Sequence, residues 1–329
     1  MYLRNSILAT LIYYDVLDMP LSFLEVHKFL INPARLSKLE KGLGNISLGD
    51  IGEELETSAR AGLIDSKNGF YFLPGRGAIY DRRIEREKIT TAKWKKFLKL
   101  SRWFSVAPYL RGLFASGSMA INNAGPDSDF DVLVIARSGR LYTCRFFLWC
   151  ISSLLGARRK RFDTMAPDKF CLNHYVTDIE LTIRHESLYN AQTYTNLKPV
   201  LISKELVRDF YASNIWINKF VHNFKISEEF VRRSPAKSPV LIFISKALER
   251  LFDSRLGDIL ERTAQKYQQK RIKENPITYE RGGRVTFNEN ELEFHPRSFE
   301  ATVIKKYGQG LRKSGIVPYV EEQDSGLTP

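Results

Sequence analysis

Apolar residues recur at helical spacing in three stretches near the start of the chain. The periodicity predicts helices at Asn5–Val16, Phe23–Leu30 and Leu48–Ala61. Two short apolar runs, Leu63-Ile64 and Phe70–Phe72, then flank the polar segment Asp65–Gly69 and predict a hairpin. Helices followed by a two-stranded wing predict a winged helix-turn-helix, which we assign to residues 1–78.

The third of these helices would be the recognition helix of such a unit. It carries four acidic residues, Asp50, Glu53, Glu54 and Glu56. Contact with DNA phosphates requires cationic side chains, so this helix is poorly suited to the major groove. The pattern favours a module that binds a protein or positions a substrate, with DNA contact as the alternative.

The middle of the chain alternates helical and strand patterns. One long basic helix is predicted at Ala78–Ser105, and a buried helix at Leu141–Leu155. Strands are predicted at Leu110–Ser116, at the apolar run after residue 129, and at Phe170–Val176. These alternating elements predict an α/β domain over residues 79–200, with the basic helix leading into it.

The last third of the chain is mainly helical. Helical stretches are predicted at Lys204–Phe224 and at Val240–Lys273, the second interrupted near Gly257. A hairpin is predicted from residues 284–287 and 292–295, with His295 as a structural or exposed residue, and the final ten or so residues are a frayed tail. The predicted fold class is therefore α/β (α+β), with residues 201–329 as a C-terminal helical region.

Two carboxylates stand at the start of the central apolar run. Asp129 and Asp131 flank Phe130, and Val132–Ile135 follow. Because strand side chains alternate between faces, both carboxylates project to one side while Phe130 faces a core. Mg²⁺ prefers oxygen ligands and often combines one or two protein carboxylates with substrate phosphates. The pattern predicts a metal site for phosphate chemistry.

Gly117-Ser118 follows the preceding predicted strand, at a turn into a helix predicted to begin near Met119. Glycine allows a phosphate to approach the backbone closely. Free N–H groups at a helix N-terminus attract anions, and the Ser118 hydroxyl adds a hydrogen-bond donor. We therefore predict that Gly117 and Ser118 bind phosphate beside the two aspartates.

The stretch FASGSMAINNAGPDSDFDVLVIA resembles the nucleotidyltransferase domain of the DNA polymerase beta superfamily. That motif is an apolar strand, Gly-Ser, a short helix and loop, and Asp-x-Asp on the next strand. The resemblance implies a polymerase-beta-like sheet in which Asp129 and Asp131 hold Mg²⁺ or Mn²⁺. Many minimal members carry Arg-x-Arg-Gly after Gly-Ser, whereas this chain has Met119–Asn122, so phosphate contacts from those arginines are not implied.

The family also uses a third carboxylate on a later strand, and the predicted strand FCLNHYV contains none. Alternation places Cys171, Asn173 and Tyr175 on one face, and Phe170, Leu172, His174 and Val176 on the other. The third position thus falls to Cys171 or to Asn173, a neutral and weaker ligand. Asp168 before the strand, or Asp178 and Glu180 after it, are alternatives.

The formal net charge of the chain is +13, which favours polyanionic partners such as nucleotides or nucleic acid. The basic run 158–161 is most simply interpreted as an exposed loop. The alternative is that it neutralises substrate phosphates. Three cysteines without metal-binding spacing, and the absence of a recognisable signal peptide or spanning segment, predict a cytoplasmic protein.

Together these features predict a Mg²⁺-dependent nucleotidyltransferase. It would move a nucleoside monophosphate from a nucleoside triphosphate to an acceptor hydroxyl and release pyrophosphate. The acceptor is open among a small molecule, an RNA end and a protein side chain. The alternative is a weak or inactive member of the same fold that regulates through DNA or protein binding. Analogy with minimal members also allows one half of a toxin–antitoxin pair.

Overall fold

A computed structural model of the chain describes residues 2–37, 44–160, 163, 165–226, 233–280, 283–295, 298–320 and 322. Helices and strands alternate through this part of the chain, so the fold is mixed α/β with two open sheets. Residues 323–329, within the predicted frayed tail, lie outside the described residues.

The helices of the described residues are α1 (Tyr2–Asp15), α2 (Phe23–Lys28), α3 (Leu48–Arg60), α4 (Ala78–Ser101), α5 (Gly117–Ala120), α6 (Leu141–Leu154), α7 (Leu188–Thr195), α8 (Lys204–Ser213), α9 (Pro239–Phe252), α10 (Arg255–Lys273) and α11 (Phe299–Lys313). The strands are β1 (Leu21–Ser22), β2 (Asp65–Lys67), β3 (Phe70–Phe72), β4 (Leu110–Ala115), β5 (Phe130–Ala136), β6 (Phe170–Thr177), β7 (Lys198–Pro199), β8 (Arg284–Phe287) and β9 (Glu291–His295).

The strands form a three-stranded sheet, β1-β3-β2, and a six-stranded sheet, β7-β4-β5-β6-β9-β8. In the larger sheet β5 and β6 are parallel, and the other neighbours are antiparallel. Because β4 and β5 are antiparallel, with Ala115 opposite Val132, the turn that follows β4 lies beside the residues that begin β5.

Both faces of the larger sheet are buried. Phe130 and Val132 pack into a core with α4, α6 and α10, as the alternation along β5 predicts. Leu133 and Ile135 pack on the opposite face with α1, α3, α7, α8 and α11. Buried apolar area of this kind is the main driving force for folding. The carboxylates of β5 therefore lie on the face shared with the N-terminal helices.

The predicted helices at the start of the chain are confirmed, but the first strand of the hairpin is misplaced. Strand β2 begins at Asp65, and Leu63-Ile64 precedes it, with Ile64 buried in the core. The turn is the pair Asn68-Gly69, and both residues have positive φ. Asn-Gly is the favoured sequence for such a two-residue turn, which moves the strand two residues later than its hydrophobicity suggests.

Elsewhere the helical predictions hold with shorter ends. The basic helix ends at Ser101 and continues as a 3₁₀ turn to Val106, and α8 ends at Ser213 before a second 3₁₀ turn. The interruption near Gly257 is confirmed, since α9 ends at Phe252 and α10 begins at Arg255. A Cβ built on Gly257 would lie 1.7 Å from the Phe252 carbonyl oxygen, so the backbone at this break fits glycine and no larger residue.

The predicted faces of His174, Tyr175 and Val176 in β6 are wrong. Asp131 pairs with Cys171, but Leu133 pairs with His174, so β6 has one extra residue at this point. The irregularity reverses the alternation. Tyr175 consequently packs with Phe130 on the α6 side, and His174 lies on the same face as Cys171. A single irregularity of this kind leaves no mark in the hydrophobic pattern.

The domain boundaries at residues 78 and 200 stay predictions. Residues of α1 and α3 share one continuous core with the larger sheet and with α11. Among the helices of the described residues, none has both the length and the apolar character needed to cross a lipid bilayer.

The N-terminus of α3 gives a test of the local structure. Ser47 Oγ accepts a hydrogen bond from the Asp50 N–H, and the Asp50 carboxylate accepts one from the Ser47 N–H at 2.8 Å. We expect Ser47→Ala to lower the free energy of unfolding by about 1 kcal/mol, because the helix loses this cap. Thr57→Ala in the same helix is the control, since Thr57 is exposed and alanine favours helix more strongly. Chemical denaturation of both variants measures the difference, and equal stabilities would contradict the capping argument.

Candidate active site

The turn after β4 places Gly117 against the carboxylate of Asp131. Gly117 has φ +62°, in the left-handed region that glycine adopts without strain. A Cβ built on it would lie 2.2 Å from Asp131 Oδ2, well inside van der Waals contact. The structure therefore brings the predicted phosphate-binding glycine and the predicted metal-binding aspartate into direct contact. No side chain larger than hydrogen fits between them.

Helix α5 begins at Gly117, two residues earlier than predicted, and spans only four residues. So short a helix contributes little dipole, and phosphate binding here would depend on individual N–H groups and on the Ser118 hydroxyl. Ser118 Oγ lies 3.3 Å from Ser128 Oγ, and Ser128 Oγ accepts a hydrogen bond from the Gly125 N–H at 3.0 Å. These bonds tie the Gly-Ser turn to the loop that leads into β5.

Asp129 and Asp131 project from the start of β5 on the same face. Together with Cys171 they offer three ligand atoms that all lie within 4.8 Å of one another. Burial, reinforced by the negative charge of Asp129, raises the pKa of Asp131 to about 7. Two close carboxylates that share a poorly solvated site repel each other, and a divalent cation between them would relieve that repulsion.

The guanidinium of Arg159 lies directly beside Asp129 and Cys171. Its Nη1 donates to Asp129 Oδ2 at 2.5 Å and lies 3.6 Å from Cys171 Sγ. The run 158–161, left open in the sequence between an exposed loop and a phosphate contact, thus places one arginine directly on the carboxylates. A guanidinium in this position partly neutralises the pair.

Of the two residues predicted for the third position, the structure places Cys171 together with Asp129 and Asp131. Cys171 pairs with Asp131 across the two strands, whereas the amide of Asn173 contacts His295 Nδ1 at 3.3 Å. Burial and the charges of Asp131 and Asp129 raise the pKa of the Cys171 thiol well above its usual value. A protonated thiol is a poor ligand, and Mg²⁺ prefers oxygen, so Cys171 adds little to a magnesium site.

The other carboxylates that the sequence left open are engaged elsewhere. Asp168 accepts hydrogen bonds from Lys93 at 2.7 Å and from Lys96 at 2.9 Å. Asp178 accepts from the Ser138 N–H beyond the opposite end of β5, and Glu180 lies past the end of β6. Among the described residues, the cluster around Asp131 therefore contains two carboxylates.

Sequence reasoning missed the role of Lys93. Its ammonium donates to the Ser128 carbonyl at 2.8 Å as well as to Asp168, and its side chain is only 7% exposed. It thereby fixes the loop between Ser118 and Asp129 onto α4. The aromatic residues between the lysines and arginines of α4 indicate that this helix packs on the sheet. They do not indicate which lysine is buried.

No family model, curated protein or solved structure matches this chain.

Proposed function

We propose that the chain is a Mg²⁺-dependent nucleotidyltransferase of the DNA polymerase beta superfamily type. The observation that carries the proposal is the contact between Gly117 and Asp131, which joins the Gly-Ser turn to the Asp129–Asp131 pair. Each half of the motif occurs by chance in many proteins. Their juxtaposition on neighbouring antiparallel strands is what such a motif requires in space.

In this proposal Asp129 and Asp131 share Mg²⁺ or Mn²⁺, which also binds the triphosphate of a nucleotide such as ATP. The ion would neutralise the charge that develops on the pyrophosphate leaving group. Backbone N–H groups at Gly117 and the Ser118 hydroxyl would hold phosphate oxygens. Asp129 would exchange its hydrogen bond to Arg159 for the metal, which frees the guanidinium to pair with phosphate.

The arrangement of the remaining elements is compatible with the proposal. Helices α1–α3 and the sheet β1-β3-β2 support a winged-helix-like unit, whose buried residues share a core with the sheet face that bears the aspartates. We propose that this unit positions an acceptor or a partner. Glu54 in α3 pairs with Arg4, and the exposed residues Glu53 and Glu56 keep the surface of that helix acidic. A direct DNA contact through α3 is therefore disfavoured.

Nucleotide transfer is tested with the four nucleoside triphosphates carrying a labelled α-phosphate, each incubated with Mg²⁺ and with small-molecule, RNA and protein acceptors. The proposal predicts label on one acceptor class and stoichiometric pyrophosphate release. Asp129→Asn is the matched control, because asparagine keeps the shape of the side chain and removes its charge. Transfer by that variant at the rate of the unaltered protein would contradict the assignment.

One observation favours a second candidate, a nucleotidyltransferase-like protein without turnover that acts as a regulator. Arg159 holds Asp129, and the third position carries a protonated thiol. Two-metal catalysis needs ions about 3.5–4 Å apart with ligands for both, and two carboxylates hold one ion more readily than two. In this candidate the site would bind a nucleotide without consuming it.

Turnover in the transfer assay separates the two candidates, and replacement of Arg159 tests the role that both give to this residue. We expect Arg159→Ala to bind Mg²⁺ alone more tightly, because the ion no longer displaces a guanidinium from Asp129. In both candidates the same change should weaken triphosphate binding about tenfold or more, since a charge-assisted bond to phosphate is lost. Calorimetric titration of each ligand measures both effects.

The neighbouring residue supplies the control for this test. The Arg158 guanidinium stacks over Trp149 at 4.3 Å, away from the aspartates, so Arg158→Ala removes one positive charge without touching the site. Equal magnesium affinity in the two variants would contradict a competition between Arg159 and the ion.

A further inference from the structure

A second cluster of ligating side chains lies on the same face of the sheet, on β6 and β9. His174, Glu293 and His295 each offer a ligand atom, and the three atoms lie within 4.8 Å of one another. His174 and Glu293 are directly opposite in the antiparallel pair β6–β9. The reversed alternation of β6 is what turns His174 towards Glu293, so this cluster is not evident from the sequence.

The Nε2 atom of His174 is buried without a hydrogen-bond partner. The residue as a whole is only 4% exposed, and the nearest oxygen of Glu291 is 3.6 Å from that nitrogen. A buried polar atom left unpaired costs about 1–3 kcal/mol. Of the eight such side-chain atoms among the described residues, His174 Nε2 is the one that belongs to a cluster of ligating side chains. The unpaired nitrogen faces carboxylates, as a ligand of a cation would.

Each of the three side chains is held from behind by another residue. The Tyr194 hydroxyl is 3.3 Å from His174 Nδ1, and the Asn173 amide is 3.3 Å from His295 Nδ1. Arg284 Nε donates to Glu293 Oε1 at 2.8 Å, and Arg284 Nη2 lies 2.7 Å from the same oxygen. Outer partners of this kind orient metal-binding histidines and carboxylates.

Three buried carboxylates lie near the cluster. Glu291, Glu293 and Glu300 are buried to 94% or more. Arg284 pairs with Glu293 and Glu300, and His185 Nε2 lies 3.1 Å from Glu300. A divalent cation at Glu293 would add positive charge to this acidic surrounding.

We propose that His174, Glu293 and His295 form a zinc-binding site, separate from the aspartate pair. Two imidazoles and one carboxylate suit Zn²⁺, and three protein ligands leave one position open to water or a substrate. His174 binds through Nε2 while its Nδ1–H donates to Tyr194. The Asn173 atom that lies 3.3 Å from His295 Nδ1 is the amide nitrogen. His295 binds through Nε2 once this amide turns over and its oxygen accepts from Nδ1–H.

The three ligand atoms need to move only slightly closer together to bind the ion. Zn–N bonds of about 2.0–2.1 Å in a tetrahedron place neighbouring ligands about 3.3 Å apart, against at most 4.8 Å in the free cluster. The side chain of His295 is 32% exposed, which gives the ion a route of entry.

The test is a titration of zinc chloride alone into the full chain after dialysis against a chelator, with metal content measured after gel filtration. We expect one Zn²⁺ per chain, and at least about tenfold weaker binding in His295→Gln, because a ligand is lost. His222→Gln is the matched control, since it removes an imidazole outside the cluster. Asp129→Asn/Asp131→Asn should also bind Zn²⁺ as the unaltered chain does, which separates this site from the aspartate pair.

His295 is the least buried of the three ligands, so its replacement perturbs folding least. Circular dichroism of each variant checks that the fold is kept. The unaltered chain gives a second measurement with Co²⁺, whose visible absorption is strong in a tetrahedral site. No zinc or cobalt binding by the unaltered chain, or equal zinc affinity in His295→Gln and His222→Gln, would overturn the proposal.

Discussion

Asp131→Asn is expected to abolish Mg²⁺-dependent nucleotide binding and to lower any nucleotide transfer by at least about 100-fold. Asparagine matches aspartate in shape but offers a neutral, weaker ligand, so the ion loses one of its two carboxylates. The contact with Gly117 is retained, because only the charge of the side chain changes. Calorimetry with Mg²⁺ and the four nucleoside triphosphates measures the loss.

The same variant should be folded and at least as stable as the unaltered chain when a chelator is present. Asp131 lies in a poorly solvated position beside Asp129, and the charges of the two carboxylates repel each other. Removal of one charge relieves that repulsion. A thermal melt in the chelator checks this expectation. A strongly lowered melting temperature would mean that Asp131 is structural, and metal-dependent binding that survives the change would remove it from the site.

Gly117→Ala is the second change with a large expected effect. The backbone there has φ +62°, and occupancy of this region costs a residue with a Cβ about 1–2 kcal/mol. The new methyl carbon would also lie 2.2 Å from Asp131 Oδ2, so the carboxylate or the turn must move. We expect nucleotide binding to be lost and stability to fall by more than the backbone term alone.

Gly156→Ala separates the backbone cost of Gly117→Ala from the cost of its contact with Asp131. Gly156 has φ +63°, almost the same as Gly117, but no atom lies within 4 Å of a Cβ built on it. Its replacement should therefore cost only the backbone term of about 1–2 kcal/mol and leave nucleotide binding intact. Chemical denaturation and calorimetry of the two variants give the comparison. Equal stability loss and equal binding would contradict a close packing of Gly117 on Asp131.

Much of the local structure is predictable from hydrophobic periodicity and capping residues. The buried strand β5 and the opposite directions of Phe130 and Asp131 follow directly from alternation along a strand. The hairpin at the end of the chain, β8 and β9, is also confirmed. These features depend on residues close in sequence, whose spacing records which face is buried.

The residues that make up the candidate site were harder to predict from the sequence. Cys171 lies beside the aspartates because it pairs with Asp131, and the register between β5 and β6 shifts only after this pair. The contact of Arg159 with Asp129 spans 30 residues, and it depends on how the loop after α6 returns to the sheet. Neither the irregularity nor the loop path is encoded in a periodic pattern, so both required the three-dimensional arrangement.

The measurement that tests the central claim most directly is calorimetric titration of ATP, GTP, CTP and UTP into the chain, with and without Mg²⁺. The Asp129→Ala/Asp131→Ala variant is titrated beside it. We predict Mg²⁺-dependent binding of at least one triphosphate, and its loss in the variant. Binding that is absent with every triphosphate, or that is independent of both Mg²⁺ and the two aspartates, would contradict a nucleotide site at this pair.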